Sequence, residues 1–186
     1  MSTRSGGCGA PGPVRAEARE AGVSLVELLV ALTILALLAS LAVSGSLESL
    51  RRERVRGAAH EIRTTMATAR VEAQRRNRAC RFAIDATSGA YQVIDTLGTS
   101  TTTDDVVLSA HELPRLVAVE APDTTTPVTL QSAGGSVFYA EFEQSGTVTG
   151  SGEIALSCTD AYARVTLTSG GGLRVQWWND GAWRDD

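Results

Sequence analysis

Glu27 is the only charged residue in an otherwise apolar run, residues 23–43, and Gly22 stands directly before that run. A carboxylate held in hydrocarbon costs at least a few kcal/mol at mid-bilayer unless it is paired. An amine is its natural partner. A cut after Gly22 creates one at Val23, a single helical turn from Glu27, and the two charges can then neutralise each other within one chain or between neighbours. Closer to the helix end the cost falls, and Glu27 then needs only to reach the interface.

The remaining reactive side chains form no catalytic set. His60 and His111 have no Cys or His neighbour at metal-ligand spacing. Ser, His and Asp are present, but no G-x-S-x-G-type motif places a nucleophile. Asp104 and Asp105 sit in a Thr-rich stretch without EF-hand spacing, which favours a solvated loop over a cation site. Cys8 lies in a Gly/Pro-rich leader. Without that leader, Cys80 and Cys158 are an even pair suited to an oxidising compartment, joined as a disulfide or buried as two separate thiols. No enzyme activity, cofactor or metal is expected.

Residues 23–43 as a helix span about 31 Å at roughly 1.5 Å per residue, matching a hydrocarbon core of about 30 Å. This predicts a transmembrane helix. A cleaved secretory signal is the alternative, but the run exceeds the usual signal core of about 7–15 residues. Beyond Ser44-Gly45-Ser46, a candidate flexible point, the pattern becomes amphipathic. Leu47, Leu50, Val55, Ala58, Ala59, Ile62, Met66, Ala69 and Ala73 recur at three- and four-residue steps, which predicts a helix packed on a sheet. From Ala79 the period becomes two. The segments ACRFAID and AYQVID flank a turn, and further strands are expected at 106–108, 115–120, 128–131, 137–142, 153–157, 164–168 and 173–178. Asn179-Asp180-Gly181 is a turn signal that folds Trp178 or Trp183 back over the sheet, while one of Trp177 and Trp178 faces the core. A helix followed by antiparallel strands is α+β.

Charge is uneven. Residues 48–81 hold ten Arg against four acids, and residues 82–186 hold four Arg against fourteen acids. An acidic domain is a poor non-specific binder of nucleic acid, whose affinity rests on phosphate neutralisation. The basic helix has no interleaved aromatic residues for base stacking, and reads as a solvated face with some lipid-headgroup contact.

The stretch GVSLVELLVALTILALLAS resembles the class III signal of type IV prepilins and pseudopilins, with Val where that family often has Phe. The resemblance implies that a prepilin peptidase cuts after Gly22 and methylates Val23. It also implies that Glu27 is the assembly residue that pairs with the amine of an adjacent subunit. Three later segments resemble the GspH/FimT family of minor pseudopilins and pilins. ATARVEAQRRNRACRFAI (67–84) matches its helix end and first strand, FEQSGTV (142–148) its Phe-x-x-x-Gly element through Phe142 and Gly146, and ARVTLTSGGGLRV (163–175) its closing hairpin.

That family implies a type IV pilin-like fold, with a long N-terminal helix on antiparallel β-sheets. The organisation is then a leader (1–22), a transmembrane and filament-core helix (23–45), an amphipathic helix (46–81) and a globular β domain (82–186). The implied function is a minor pseudopilin of a type II secretion system, anchored once in the bacterial inner membrane with its C-terminal domain in the periplasm. Its implied partners are other pseudopilins, the prepilin peptidase, the inner-membrane assembly platform and the membrane itself. The alternative is a FimT-like minor pilin acting in pilus biogenesis or DNA uptake. Such members use a Gly-Arg-x-Arg-type element. Here Gly172-Leu173-Arg174-Val175 keeps only Arg174, with Asp180, Asp185 and Asp186 close behind it, and nucleic acid is not the expected partner.

Overall fold

The computed structural model describes residues 24–99, 102–123 and 125–185, with side-chain surroundings for all of these except 40–47. Cys8, Gly22 and Val23 lie outside the described residues. The chain divides into two units, Met1–Ala42 and Val43–Asp186.

One helix, α1 (Leu25–Arg76), crosses both. In the first unit its large apolar side chains are exposed on every side, from 49% for Val30 to 79% for Leu25. A helix that is apolar all round has no core of its own to face, and its burial must come from lipid or from other helices. Among the described residues no helix is long and apolar enough to cross a membrane. The expected span, 23–43, starts before them and ends among side chains outside them. Gly45, the expected flexible point, lies within α1, as a helix interior accepts a glycine for about 1 kcal/mol.

In the second unit α1 packs on two antiparallel sheets. The strands are β1 (Cys80–Asp85), β2 (Ala90–Asp95), β3 (Val106–Glu112), β4 (Gln131–Gly134), β5 (Val137–Phe142), β6 (Val148–Thr149), β7 (Gly152–Cys158), β8 (Ala161–Leu167), β9 (Leu173–Asn179) and β10 (Ala182–Asp185). The first sheet runs β3-β2-β1-β5-β4, with β6 beside β5, and the second runs β10-β9-β8-β7. Period-2 alternation sends Phe82, Ile84, Tyr91, Val93, Ala140 and Phe142 inward from the first sheet. Ile154, Leu156, Ala163, Val165 and Leu167 point inward from the second. Between them lie Val55, Ala58, Ala59, Ile62, Met66, Ala69 and Ala73 of α1, each at most 1% exposed. Four alanines among these seven residues leave little side-chain bulk on this face of the helix.

The helix face expected from the sequence is present from Val55 to Ala73, Leu47 lies outside the described side chains, and one position needs correction. Leu50 is 53% exposed. Steps of three and four from position 50 reach Glu53 and Arg54, and the buried stripe begins only at Val55. Two strand expectations also change. Residues 115–120 form a single bridge, Ala118 to Ser157, and Val128 bridges Ile154. Pro114, the positive φ of Leu116 (74°) and the prolines at 122 and 127 prevent a regular ladder there. The short strands β6 and β10 carried no sequence signal strong enough to call.

Candidate functional site

The start of α1 determines how Glu27 is presented. Leu28 N–H donates to the Ser24 carbonyl at 3.0 Å, so Ser24 is the N-cap and Glu27 falls three positions into the helix. Ser-x-x-Glu is the spacing of a capping box, and an acid there also suits the positive end of the helix dipole. Glu27 is exposed. Its carboxylate is thus compatible with local capping and with an external cationic partner.

The segments that carried the family resemblance converge in space. Arg70 of α1 donates to the Gly171 carbonyl at 3.0 Å and to the Gly170 carbonyl at 3.4 Å. Gly146, in the turn after β5, lies under the same side chain. A Cβ added there would come within 2.7 Å of Gln74 Nε2 and 3.0 Å of Arg70 Nε, and its φ of +84° also favours glycine. Gly171 in turn abuts Gly146. Phe142, four residues before Gly146, is fully buried in the core. The helix end, the Phe-x-x-x-Gly turn and the Gly-rich turn form one contact that fixes α1 across both sheets. The glycines and the helix end that carries Arg70 were visible in the sequence, but the carbonyls Arg70 meets were not, because they lie about 100 residues on.

A second contact holds the end of α1. Asn77 adopts a left-handed φ of 53°. Asn77 N–H donates to Gln74 O and Arg78 N–H to Ala73 O, which is a Schellman cap. Asp95, 1% exposed at the end of β2, pairs with Arg76 at 3.0 Å and Arg78 at 2.6 Å and accepts Leu97 N–H at 3.0 Å. Burial pushes its carboxyl up, but the Leu97 N–H and the two guanidinium groups outweigh this and hold it below the usual carboxylate range. Breaking a buried ion pair costs about 3–5 kcal/mol. Arg76 and Arg78 stay about a third exposed and can be rehydrated, so Asp95→Ala is expected to destabilise the second unit by about 3 kcal/mol, read from urea unfolding of fragment 46–186. The sign of the pH effect follows. The folded-state carboxyl is depressed, so its contribution is complete above the ordinary carboxylate range and disappears as pH falls through the folded value. Asp95→Asn should flatten that acid limb.

Cys80 and Cys158 are buried free thiols, with no disulfide between them in the structure. They start β1 in one sheet and end β7 in the other, where each fills the core as a small apolar side chain. Burial pushes the Cys80 thiol up to about 11, which keeps it protonated. His60 packs near the Trp177 ring at 5.9 Å, and His111 stacks on Tyr91 at 5.4 Å with Nδ1 3.6 Å from Glu61. Among the described residues no cluster of His, Cys, Asp or Glu is suited to a metal.

The family described as type II transport protein GspH matches residues 58–172, and the prokaryotic N-terminal methylation motif matches residues 18–43. The chain belongs to the GspH family. Among solved structures, the minor pseudopilin EpsH from the type 2 secretion system of Vibrio cholerae is similar in fold, with TM-score 0.51 and 14% identity over 66% of this chain and 95% of that one. The Pseudomonas aeruginosa type IV minor pilin FimU matches with TM-score 0.48 and 17% identity, over 72% of this chain and 94% of that one. No curated protein matches.

The GspH match includes Arg70, Gly146 and Gly171 and stops just before β9. A hairpin lies beyond it. Asn179 pairs with Ala182 around Asp180 (φ 50°) and Gly181 (φ 78°), the two-residue turn that Asp-Gly favours. Trp178 and Trp183 face each other edge-on at 5.2 Å, and the Arg164 guanidinium lies 4.6 Å over the Trp183 ring. Trp177 packs against the core instead. Arg174 is exposed, with Nη1 3.7 Å from Asp185, so the one arginine left of the DNA-binding pattern has a carboxylate beside it.

Proposed function

We propose that this GspH-family subunit enters the periplasmic pseudopilus through the first part of α1, with Glu27 as the docking charge and Val23 as the methylated N-terminus. The observation that carries this reading is the all-round exposure of the apolar side chains from Leu25 to Leu38. Burying a leucine-sized side chain yields about 1.5–3 kcal/mol. Ten such side chains on one helix therefore supply a strong drive into lipid before assembly and into neighbouring helices after it. The methylation-motif match covers Gly22, Val23 and Glu27 and supports the same assignment. The prepilin peptidase, the inner-membrane platform and fellow pseudopilins are the partners in this reading. The inner membrane holds the subunit, with its second unit in the periplasm, until it assembles.

Co-expression with a prepilin peptidase tests the first step. The expected product lacks 22 residues and begins with N-methylated Val23, read by intact-mass and N-terminal peptide mass spectrometry. A mature chain that starts elsewhere, or a cut at the small residues near 41–46, would replace this reading with an ordinary secretory signal.

A further inference from the structure

All three tryptophans of the chain lie in the hairpin 173–185, outside the GspH match. A groove of about 730 Å³ opens between this hairpin and residues 48–56 of α1, with Val55, Tyr162, Trp177 and Trp178 among its lining. Arg56 lies 5.0 Å over the Trp177 ring. The helix wall pairs its own charges, Arg52 with Glu48 and Arg56 with Glu53. The other wall does not. The turns β7–β8 and β9–β10 lie at the same end of the second sheet, and they place Asp160 and Asp180 on one rim of the groove. Neither carboxylate has an ion-pair partner among the described residues, and Arg184 on the same rim offsets only one of them. Tryptophan and tyrosine beside uncommitted charge are the side chains that dominate protein–protein binding energy. The uncommitted acids set the sign of the partner.

We infer that this groove docks the α1 helix of a neighbouring pilin-like subunit, which places an arginine or lysine against Asp160 and Asp180 and an aliphatic side chain beside Trp177. The chain carries an example of that chemistry itself. Leu50, 53% exposed, and Arg54, exposed and in no ion pair among the described residues, stand one turn apart on the outer side of α1. A neighbour built on the same plan offers such a pair. The proposal rests on the pseudopilin reading and adds a location and a partner chemistry to it.

The test uses the full chain, co-expressed with the prepilin peptidase and the other pseudopilins of its assembly, with a photoreactive benzophenone residue at position 162. Illumination should yield an adduct to the N-terminal helix of another subunit, mapped by peptide mass spectrometry to within one turn of a basic residue. Asp160→Asn with Asp180→Asn should lower its yield at least tenfold. Asparagine suits the left-handed turn position of Asp180, so fold, processing and subunit level should remain as in the parent chain. An adduct that persists at full yield in the double variant, or maps to lipid or to a globular domain, overturns the proposal. So does the absence of an adduct from a chain that is processed and co-purifies with the other subunits. A chain that is neither processed nor co-purified removes the pseudopilin reading and this proposal with it.

Discussion

Glu27→Ala should leave cleavage after Gly22 intact and lower incorporation into the pseudopilus at least about tenfold, the effect of losing about 1.4 kcal/mol of docking energy. In the proposed reading, cleavage depends on the sequence before the new terminus, whereas incorporation depends on where the amine at Val23 finds a counter-charge. An unpaired ammonium group in an apolar helix bundle costs several times that energy, so tenfold is a lower bound. The measurement is the fraction of processed subunit that sediments with sheared filaments. Glu27→Gln separates the two roles open to this side chain. Glutamine serves in a capping box as glutamate does but carries no charge. If Glu27 acts by pairing with an amine, Gln should fail as badly as Ala. If it only caps α1 through the Ser24 spacing, Gln should assemble normally, and the docking role would then be lost.

Gly171→Ala should cost the second unit about 4 kcal/mol, while Gly170→Ala, one residue earlier, should cost less than about 1 kcal/mol. A Cβ on Gly171 would lie 2.5 Å from the Gly146 carbonyl oxygen, and its φ is +77°. The left-handed conformation alone costs a side-chain-bearing residue about 1–2 kcal/mol. Relieving the clash must part the two turns and pull the Gly171 carbonyl from Arg70, a charge-assisted hydrogen bond of about 1.5–3 kcal/mol. A Cβ on Gly170 meets nothing within 4 Å. At about 2–4 °C per kcal/mol for a unit of this size, Gly171→Ala should lower the melting temperature of fragment 46–186 by about 10 °C and Gly170→Ala by no more than a few degrees. Equal shifts would show that the contact between Arg70 and the two turns does not hold the unit together.

The three glycines at 170–172 illustrate what the sequence carries and what it does not. As a sequence they are one turn signal and nearly interchangeable. In three dimensions one faces solvent and another touches a backbone 25 residues away. The arginines show the same division. Residues 48–81 hold ten, and their spacing places most on a polar helix face. Arg70 and the Arg76–Arg78 pair become distinct only when loops 100 residues on, and an aspartate at the end of β2, arrive beside them.

Local periodicity determined most of the elements, because the 3.6 and 2.0 repeats are properties of neighbouring residues. It identified the buried face of α1 from Val55 to Ala73, the β1–β2 hairpin and the Asp180-Gly181 turn. It failed where no repeat exists, at the two-residue strand β6 and in the proline-interrupted stretch 114–127. The proposed role of the Gly22–Val23–Glu27 spacing rests on the sequence alone, since the chemistry it invokes, a terminal amine one turn from a carboxylate, is local. Only the tertiary structure placed Cys80 and Cys158 in the same buried core and turned Leu50 outward. It alone also brought Asp160 and Asp180, on two different hairpins, to the same rim. Those are contacts between segments far apart in the chain, set by how the two sheets close on the helix, and no pattern of neighbouring residues encodes them.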